Sequence, residues 1–537
     1  MDARRAREGA GPSVRTLSIL FFLSGVPALV YQLVWQRALF RIFGVDVESV
    51  TVVVTAFMLG LGLGSLAGGW LSRRALPLLP LLAAIELLTA LFGVASLAIF
   101  EAVGERVLGA PLAVTAALTL ALVLAPTLLM GATLPVLVGH LVRRTSHVGG
   151  SVGLLYEVNT LGAAAACLVS AAVLFPFLGM QRSILVAAAM NALVAAGALA
   201  VHLRGERAAI PDPLPLAAPA GATGGTARLG TAAALALAAL GGLVSLSYEI
   251  LFFRVVSYAT GSSASAFALT LAAFLLGLAW GARVAARGCR GAPDAAIRSA
   301  VRAIAVANVA GFAFLPLMGA LAVLGWAVLG LALALVAVVA RSWGVLLPTL
   351  AHLTVPADAD AGMRTARIYL ANIAGSAAGS VVTGFVLLDR LTTAGVAAAL
   401  TVLGILTALV LAATLPAPPR MRAARAAAAA GACLLAVVLL PALASGALER
   451  LLWKGAARGR PPFAEVVENR SGIVAVDPDG TVYGHGMYDG RFNVDLVNDT
   501  NGIVRAYALA LFHPRPEEVL MIGLSSGSWA QVVASHP

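Results

Sequence analysis

An ionisable or strongly polar side chain inside an apolar run costs several kcal/mol at bilayer depth unless it is paired or wetted, so such residues are where chemistry is sought first. Glu86 falls near the middle of the third apolar run, and Glu157 and Asn159 near the start of the fifth. The set Tyr31, Gln32 and Arg37 in the first run recurs as Tyr248, Glu249 and Arg254, and Asn372 repeats Asn159. Groups of these types within a membrane can line a solute pathway. The competing reading is structural, with interhelical ion pairs and with Arg37 and Arg254 snorkelling to an interface. A second candidate lies at the far end. "VLMIGLSSGSWAQVVASHP" reads as a buried strand, a Gly/Ser turn and the opening of a helix. There Gly523, Ser525, Ser526 and Gly527 could present backbone N–H groups to a ligand, although many strand-to-helix turns carry glycine and bind nothing.

The elements that must position these residues are membrane spans. The chain has 537 residues, 60% hydrophobic and 11% charged, with mean hydropathy +0.94, outside the range of soluble domains. Apolar runs of roughly 20 residues, long enough to cross a bilayer as helices, recur about thirteen times between Leu17 and Ala447. The lipid bilayer is therefore the principal partner. The net charge of +11 does not point to nucleic acid, because the arginines sit between the apolar runs in no continuous stripe with aromatics. Arg4, Arg5, Arg7 and Arg15 precede the first run, Arg73 and Arg74 follow the second, Arg143 and Arg144 the fourth, and Arg204 and Arg207 the sixth. Asp46, Glu48, Glu101 and Glu105 occupy the alternate loops, so the positive-inside rule predicts an inner-membrane protein with a cytoplasmic N-terminus. No small-residue cleavage site follows the first run before Tyr31 and Trp35, which predicts a retained span. Cys167, Cys289 and Cys433 are isolated, with no histidine at ligand spacing, so no metal site is expected.

The runs are organised as a repeat. Tyr31, Arg37, Gly44, Phe57 and Gly64 return as Tyr248, Arg254, Gly261, Phe274 and Gly281, each 217 positions on. Tyr156, Asn159 and Gly162 return as Tyr369, Asn372 and Gly375, 213 positions on. An even number of spans per copy makes the two copies parallel, the arrangement of two-halved transporters. The expected organisation is repeat 1 over 1–207, a Pro/Ala/Gly-rich linker over 208–230, repeat 2 over 231–415 and an extra span over 423–447. Gly60, Gly64 and Gly68, spaced by four, with Gly277 and Gly281 in the second copy, predict close helix packing.

After Ala447 the composition changes. Residues 463–499 alternate β-prone runs with turn dipeptides, Asp479-Gly480 and Asp489-Gly490, as hairpins do. A helix capped by Asp499 or Thr500 and stopped before Pro514 should follow, then the strand, turn and helix quoted above. This order of parts, with "YDGRFNVDL", a helix ending in "HP" and the glycine turn, resembles the start of the spermidine synthase (aminopropyltransferase) family, in the type fused behind a transporter-like membrane region. The resemblance implies a hairpin domain over 463–499 and, over 500–537, the first β-α unit of a Rossmann-like cofactor-binding domain. It implies polyamine-related amine chemistry with decarboxylated S-adenosylmethionine as co-substrate at the 523–527 turn. Asp499 and Tyr507 are the loose candidates for the amine. Ser526 stands where the family carries an acidic residue, and the catalytic Asp would lie beyond Pro537, so the domain is expected to be cut short or to be a remnant. The alternative is a transporter or scaffold whose tail has no catalytic role. A homo-oligomer is left open.

Overall fold

The structure, a computed structural model, describes residues 14–535 apart from 44–46, 75, 108–109, 146–147, 206–228, 262–263, 458 and 514–515. Arg4, Arg5, Arg7, Asp46, Arg207 and most of the linker lie outside the described residues.

Within hydrocarbon no water can satisfy a free N–H or C=O, so each apolar run closes its hydrogen bonds on itself as a helix. The first half comprises α1 (Val14–Phe43), α2 (Val47–Ser72), α3 (Leu78–Arg106), α4 (Leu112–Thr145), α5 (Val148–Val169) and α6 (Gly179–Gly205). The second comprises α7 (Thr231–Ala259), α8 (Ala264–Gly288), α9 (Pro293–Ala320), α10 (Ala327–Gly344) continued by α11 (Leu346–Thr354), α12 (Ala361–Val382) and α13 (Thr393–Ala413). A further helix, α14 (Pro419–Leu443), lies at the periphery against α13.

Twelve helical segments among the described residues are long and apolar enough to cross a membrane, and one of them, Val148–Arg204, holds 57 residues. A straight helix of that length would run about 85 Å against about 30 Å of hydrocarbon. It is two crossings, α5 and α6, broken where Gly179 takes φ +67° and ψ −175°. Counted so, the described residues hold helices for six crossings in each half, with α14 (Pro419–Leu443) besides. A π-helical segment, Ser170–Leu178, leads into that break, and a second, Thr383–Leu387, begins 213 positions later between α12 and α13. The repeat thus extends to an irregularity of the backbone.

Packing repeats as well. In the first half α1 packs on α5, α2 on α4 and α3 on α6; in the second α7 packs on α12, α8 on α10 and α9 on α13. The expected small-residue contacts are present: a Cβ on Gly64 would stand 2.1 Å from the Leu128 carbonyl oxygen, and one on Gly281 2.1 Å from that of Arg341. The halves meet along α2 with α12 and α5 with α8.

Beyond α14, a short helix, α15 (Ala447–Trp453), leads to a four-stranded antiparallel sheet in sequential order, β1 (Glu465–Asn469), β2 (Gly472–Val476), β3 (Thr481–Gly484) and β4 (Met487–Arg491). Asp479-Gly480 lies in the β2–β3 turn as expected, with Gly480 at φ +83° donating to the Asp477 carbonyl at 2.9 Å. Asp489-Gly490 does not form a turn. His485 and Gly486, at φ +52° and +79°, make the two-residue β3–β4 connection, and Asp489-Gly490 sits inside β4 opposite a register shift at Val482/Tyr483.

The tail forms three helical pieces, α16 (Val504–Tyr507), α17 (Leu509–Phe512) and α18 (Ser528–Ala534). The N-cap position of α16 is Ile503 rather than Asp499 or Thr500, and Asp499 holds the approach to it, accepting from the Ile503 amide at 2.8 Å and the Val504 amide at 3.3 Å. The expected strand over 519–522 is not formed: the segment pairs with no strand, and Leu520 and Ile522 are exposed. A lone extended segment has no neighbour for its ladder hydrogen bonds, so apolar residues alone do not make it a strand.

Candidate functional site

Between the halves, at mid-depth, lies a cavity of about 260 Å³. Its wall is built from both copies of the repeat almost residue by residue. Gly25, Gln32, Phe57, Gly131, Tyr156 and Asn159 face it, and so do their counterparts Gly242, Glu249, Phe274, Gly344, Tyr369 and Asn372. Close helix approach sets this geometry: a Cβ on Gly25 would fall 2.3 Å from the Asn159 carbonyl oxygen, and one on Gly242 2.0 Å from that of Asn372. The two asparagines are thus held at equivalent places on α5 and α12, and Asn372 donates to the Ala238 carbonyl at 3.2 Å.

Two carboxyls reach the wall in different settings. Glu86 on α3 is 2% exposed; its Oε1 accepts from Ser24 Oγ on α1 at 2.5 Å, and its Oε2 from Asn191 Nδ2 on α6 at 2.5 Å. Glu249 on α7 is half-buried, borders the cavity, and among the described residues has no hydrogen bond or ion pair. Neither carboxyl has a lysine or arginine within ion-pair distance among the described residues. A cavity holding two carboxyls without a protein cation is suited to a positively charged visitor.

The remaining candidates divide. Glu157 is not among the residues that line the cavity; it lies toward the N-terminal face, the face where α1 begins, and pairs at 2.7 Å with Arg283 of α8, across the interface between halves. Arg73, following α2, pairs at 2.7 Å with Asp360, before α12, so two ion pairs tie the halves together on that face. Tyr31 is core, stacked on Trp35 at 5.0 Å with its ring against Gly93, and Tyr248 occupies the matching place against Gly311. Arg37 is exposed, 4.2 Å from the centre of the Phe175 ring.

Arg254 joins the sheet to the second half. It donates to Thr393 Oγ1 at 3.2 Å, to the Asn469 carbonyl at 2.8 Å and to the Gly472 carbonyl at 3.0 Å. Its guanidinium lies 3.8 Å from Glu468, whose carboxylate also accepts from the Thr393 amide at 2.8 Å and from the Thr393 hydroxyl. The Arg470 amide donates to Asp389 at 2.9 Å in the turn before α13. All of these contacts lie on the face opposite the N-terminal one.

In the tail, Ser526 Oγ donates to the Arg491 carbonyl at 3.0 Å and Ser528 Oγ to the same carbonyl at 2.8 Å, so these serines fasten the turn to β4. Gly523, Ser525 and Gly527 all take positive φ. Tyr507 donates to the Val494 carbonyl at 3.2 Å. The backbone amides around Asp499 hold its carboxyl below the usual carboxylate range.

No family model and no curated protein matches the chain. Among solved structures it is similar to a Major Facilitator Superfamily transporter, FucP, in the outward conformation, with TM-score 0.49 and 13% identity over 75% of this chain and 98% of that one. It is also similar to a bacterial homologue of the iron transporter ferroportin in an outward-facing state, with TM-score 0.47 and 12% identity over 80% and 99% of the two chains. A third similarity is to the human organic anion transporter MFSD10, with TM-score 0.43 and 17% identity over 74% and 100%.

The residues that the sequence reading missed are Ser24 and Asn191. The signal available for Asn191 was a lone amide in an apolar run; Ser24, a single small hydroxyl within the first span, gave none.

Proposed function

We propose that the membrane region carries a small cationic solute across the bilayer through the cavity between its halves, with Glu249 as the counter-ion to the solute's ammonium group. The observation that carries this is the wall itself: repeat-related residues from both halves converge at mid-depth on a space that holds two carboxyls and no protein cation. Parallel repeats around a midplane site permit alternating access by rocking of one half against the other. In such a cycle the Glu157–Arg283 and Arg73–Asp360 pairs hold the N-terminal face shut and separate when it opens.

The test uses the purified full chain in liposomes, with radiolabelled putrescine as the probe because it is a compact, polyamine-like dication. Uptake is expected in the wild type, to fall at least tenfold in Glu249→Gln, and to be partly kept in Glu249→Asp. Wild-type liposomes that take up no more putrescine than empty ones count against the cationic class; unchanged uptake by Glu249→Gln removes the counter-ion role.

The resemblance of residues 463–537 to the start of an aminopropyltransferase gives a second reading, in which the tail receives decarboxylated S-adenosylmethionine. The four-stranded sheet ahead of the Gly/Ser turn supports it. The bonding of Ser526 and Ser528 to β4 and the unpaired segment 519–522 weigh against it. Quenching of Trp529, which lies beside the turn, on addition of an adenosyl sulfonium is the expected sign of binding.

A further inference from the structure

The pairing of cavity residues across the repeat is not complete: Thr133 and Thr160 have Leu346 and Ile373 as counterparts, and one carboxyl-bearing cluster is matched by none. Ser24, Glu86 and Asn191 come from α1, α3 and α6, and their counterparts in the second half carry no polar side chain. Ser24 corresponds to Gly241, at the offset that relates Tyr31 to Tyr248. Asn191 corresponds to Gly404, at the offset that relates Tyr156 to Tyr369. Glu86 lies seven residues before Gly93, which packs on Tyr31; Ile304 lies seven before Gly311, which packs on Tyr248. The matching crossing of the second half holds one buried amide, Asn308 of α9 against Gly404, and no carboxyl, so a packing role shared by both halves accounts for an amide there but not for Glu86.

We propose that Glu86, oriented by Ser24 and Asn191, is a proton-binding site that couples solute movement to movement of a proton. Both carboxyl oxygens accept from neutral donors, which orient the group without cancelling its charge. A carboxylate left so at bilayer depth is costly, and binding a proton removes the cost. The oxygens the structure places here are two carboxyl atoms, the Ser24 hydroxyl and the Asn191 Oδ1, which is buried without a partner, with the buried Tyr31 hydroxyl, also without a hydrogen bond, close enough to interact with the Glu86 charge. That is too few for the six or more oxygens that a hard metal cation gathers, and enough to hold one proton. Glu249, half-buried and open to the cavity, is left for the solute. The proton enters from cavity water, rests on a Glu86 oxygen and leaves to water on the other side, so no covalent bond of the solute changes. The coupling role rests on the transport reading above; proton binding by Glu86 does not.

Infrared difference spectra of the full chain in liposomes, titrated with acid, separate the two. The wild-type spectrum minus that of Glu86→Gln, which cancels the other carboxyls among the chain's 25 acidic residues, is expected to show a protonated-carboxyl C=O band that grows with acid and that survives when the same subtraction is made in a Glu249→Gln background. Ser24→Ala and Asn191→Ala each remove one donor and are expected to move the midpoint of that band by about one pH unit, guarding against misfolding of Glu86→Gln. A wild-type minus Glu86→Gln difference that holds no such band, or a midpoint unmoved in both donor variants, overturns the proton site. A pH-sensitive dye inside the liposomes should report proton movement with putrescine, lost in Glu86→Gln; putrescine entry without proton movement in the wild type overturns the coupling. Absence of any putrescine flux alongside a normal band counts against the transport reading alone.

Discussion

Replacing Arg254 by Ala tests whether the sheet is held on the second half by one buried charge network. The side chains of Arg254 and Glu468 are 9% and 12% exposed, so truncation leaves the Glu468 carboxylate nearly dry and without its cation. Breaking a buried pair in this way costs about 3–5 kcal/mol; the 3.8 Å separation and the nearby water phase favour the lower end, about 3 kcal/mol. At about 1.4 kcal/mol per tenfold, the undocked population should rise about 100-fold. Hydrogen exchange reads this directly, because two amide hydrogen bonds cross the junction, from Thr393 to Glu468 at 2.8 Å and from Arg470 to Asp389 at 2.9 Å. Both amides should exchange about 100-fold faster in Arg254→Ala. The His485 amide, bonded to the Ile473 carbonyl within the sheet at 2.9 Å, should keep its rate. Unchanged exchange at Thr393 and Arg470 refutes the latch, and equal acceleration at His485 means that the sheet unfolds rather than lifts off.

Gly64→Ala sets a Cβ 2.1 Å from a backbone oxygen that cannot step aside, so destabilisation of about 3 kcal/mol is expected by thermal unfolding, against little change for Gly330→Ala, which meets nothing within 4 Å. The Glu157–Arg283 pair is lopsided, with side chains 6% and 55% exposed, so Arg283→Gln should lower the unfolding midpoint more than Glu157→Gln, by about 2 against under about 1 kcal/mol. The reverse order would show that the pair is solvated on both sides. Because the carboxyl of Asp499 is held below its unfolded value, its stabilising contribution is full above the ordinary carboxylate range and is lost as pH falls through the folded value. Trp529 fluorescence should therefore show an acid transition that Asp499→Asn removes; its survival would assign the transition to another group.

The membrane half of the fold was legible because hydrocarbon leaves a backbone one solution, and runs of Leu, Ala and Val announce it. The repeat was legible because Tyr31 and Tyr248 each fill a notch over a glycine and so keep a fixed offset. The site was legible only in part. Glu86 and Glu249 stand out as charges among apolar neighbours, whereas Ser24 and Asn191 acquire meaning only when α1, α3 and α6 converge. Arg37 and Arg254 matched in sequence and parted in role, since only Arg254 faces a sheet supplied by residues more than 200 positions away. The tail misled for the opposite reason: a strand is a property of a pair, and the apolar pattern of 519–522 specifies only one member of it.

The junction at Arg254, Asp389 and Thr393 has a mechanical consequence. Every described hydrogen bond and ion pair between the sheet and the spans falls on the second half, so the sheet is a fixed landmark on that half. In the proposed transport cycle, a fluorophore on the sheet and another on the first half would form a ruler whose length follows the swing of one half against the other, while the same label paired with one on α7 would read a constant distance. The sheet thereby offers an external pointer to motion inside the bilayer.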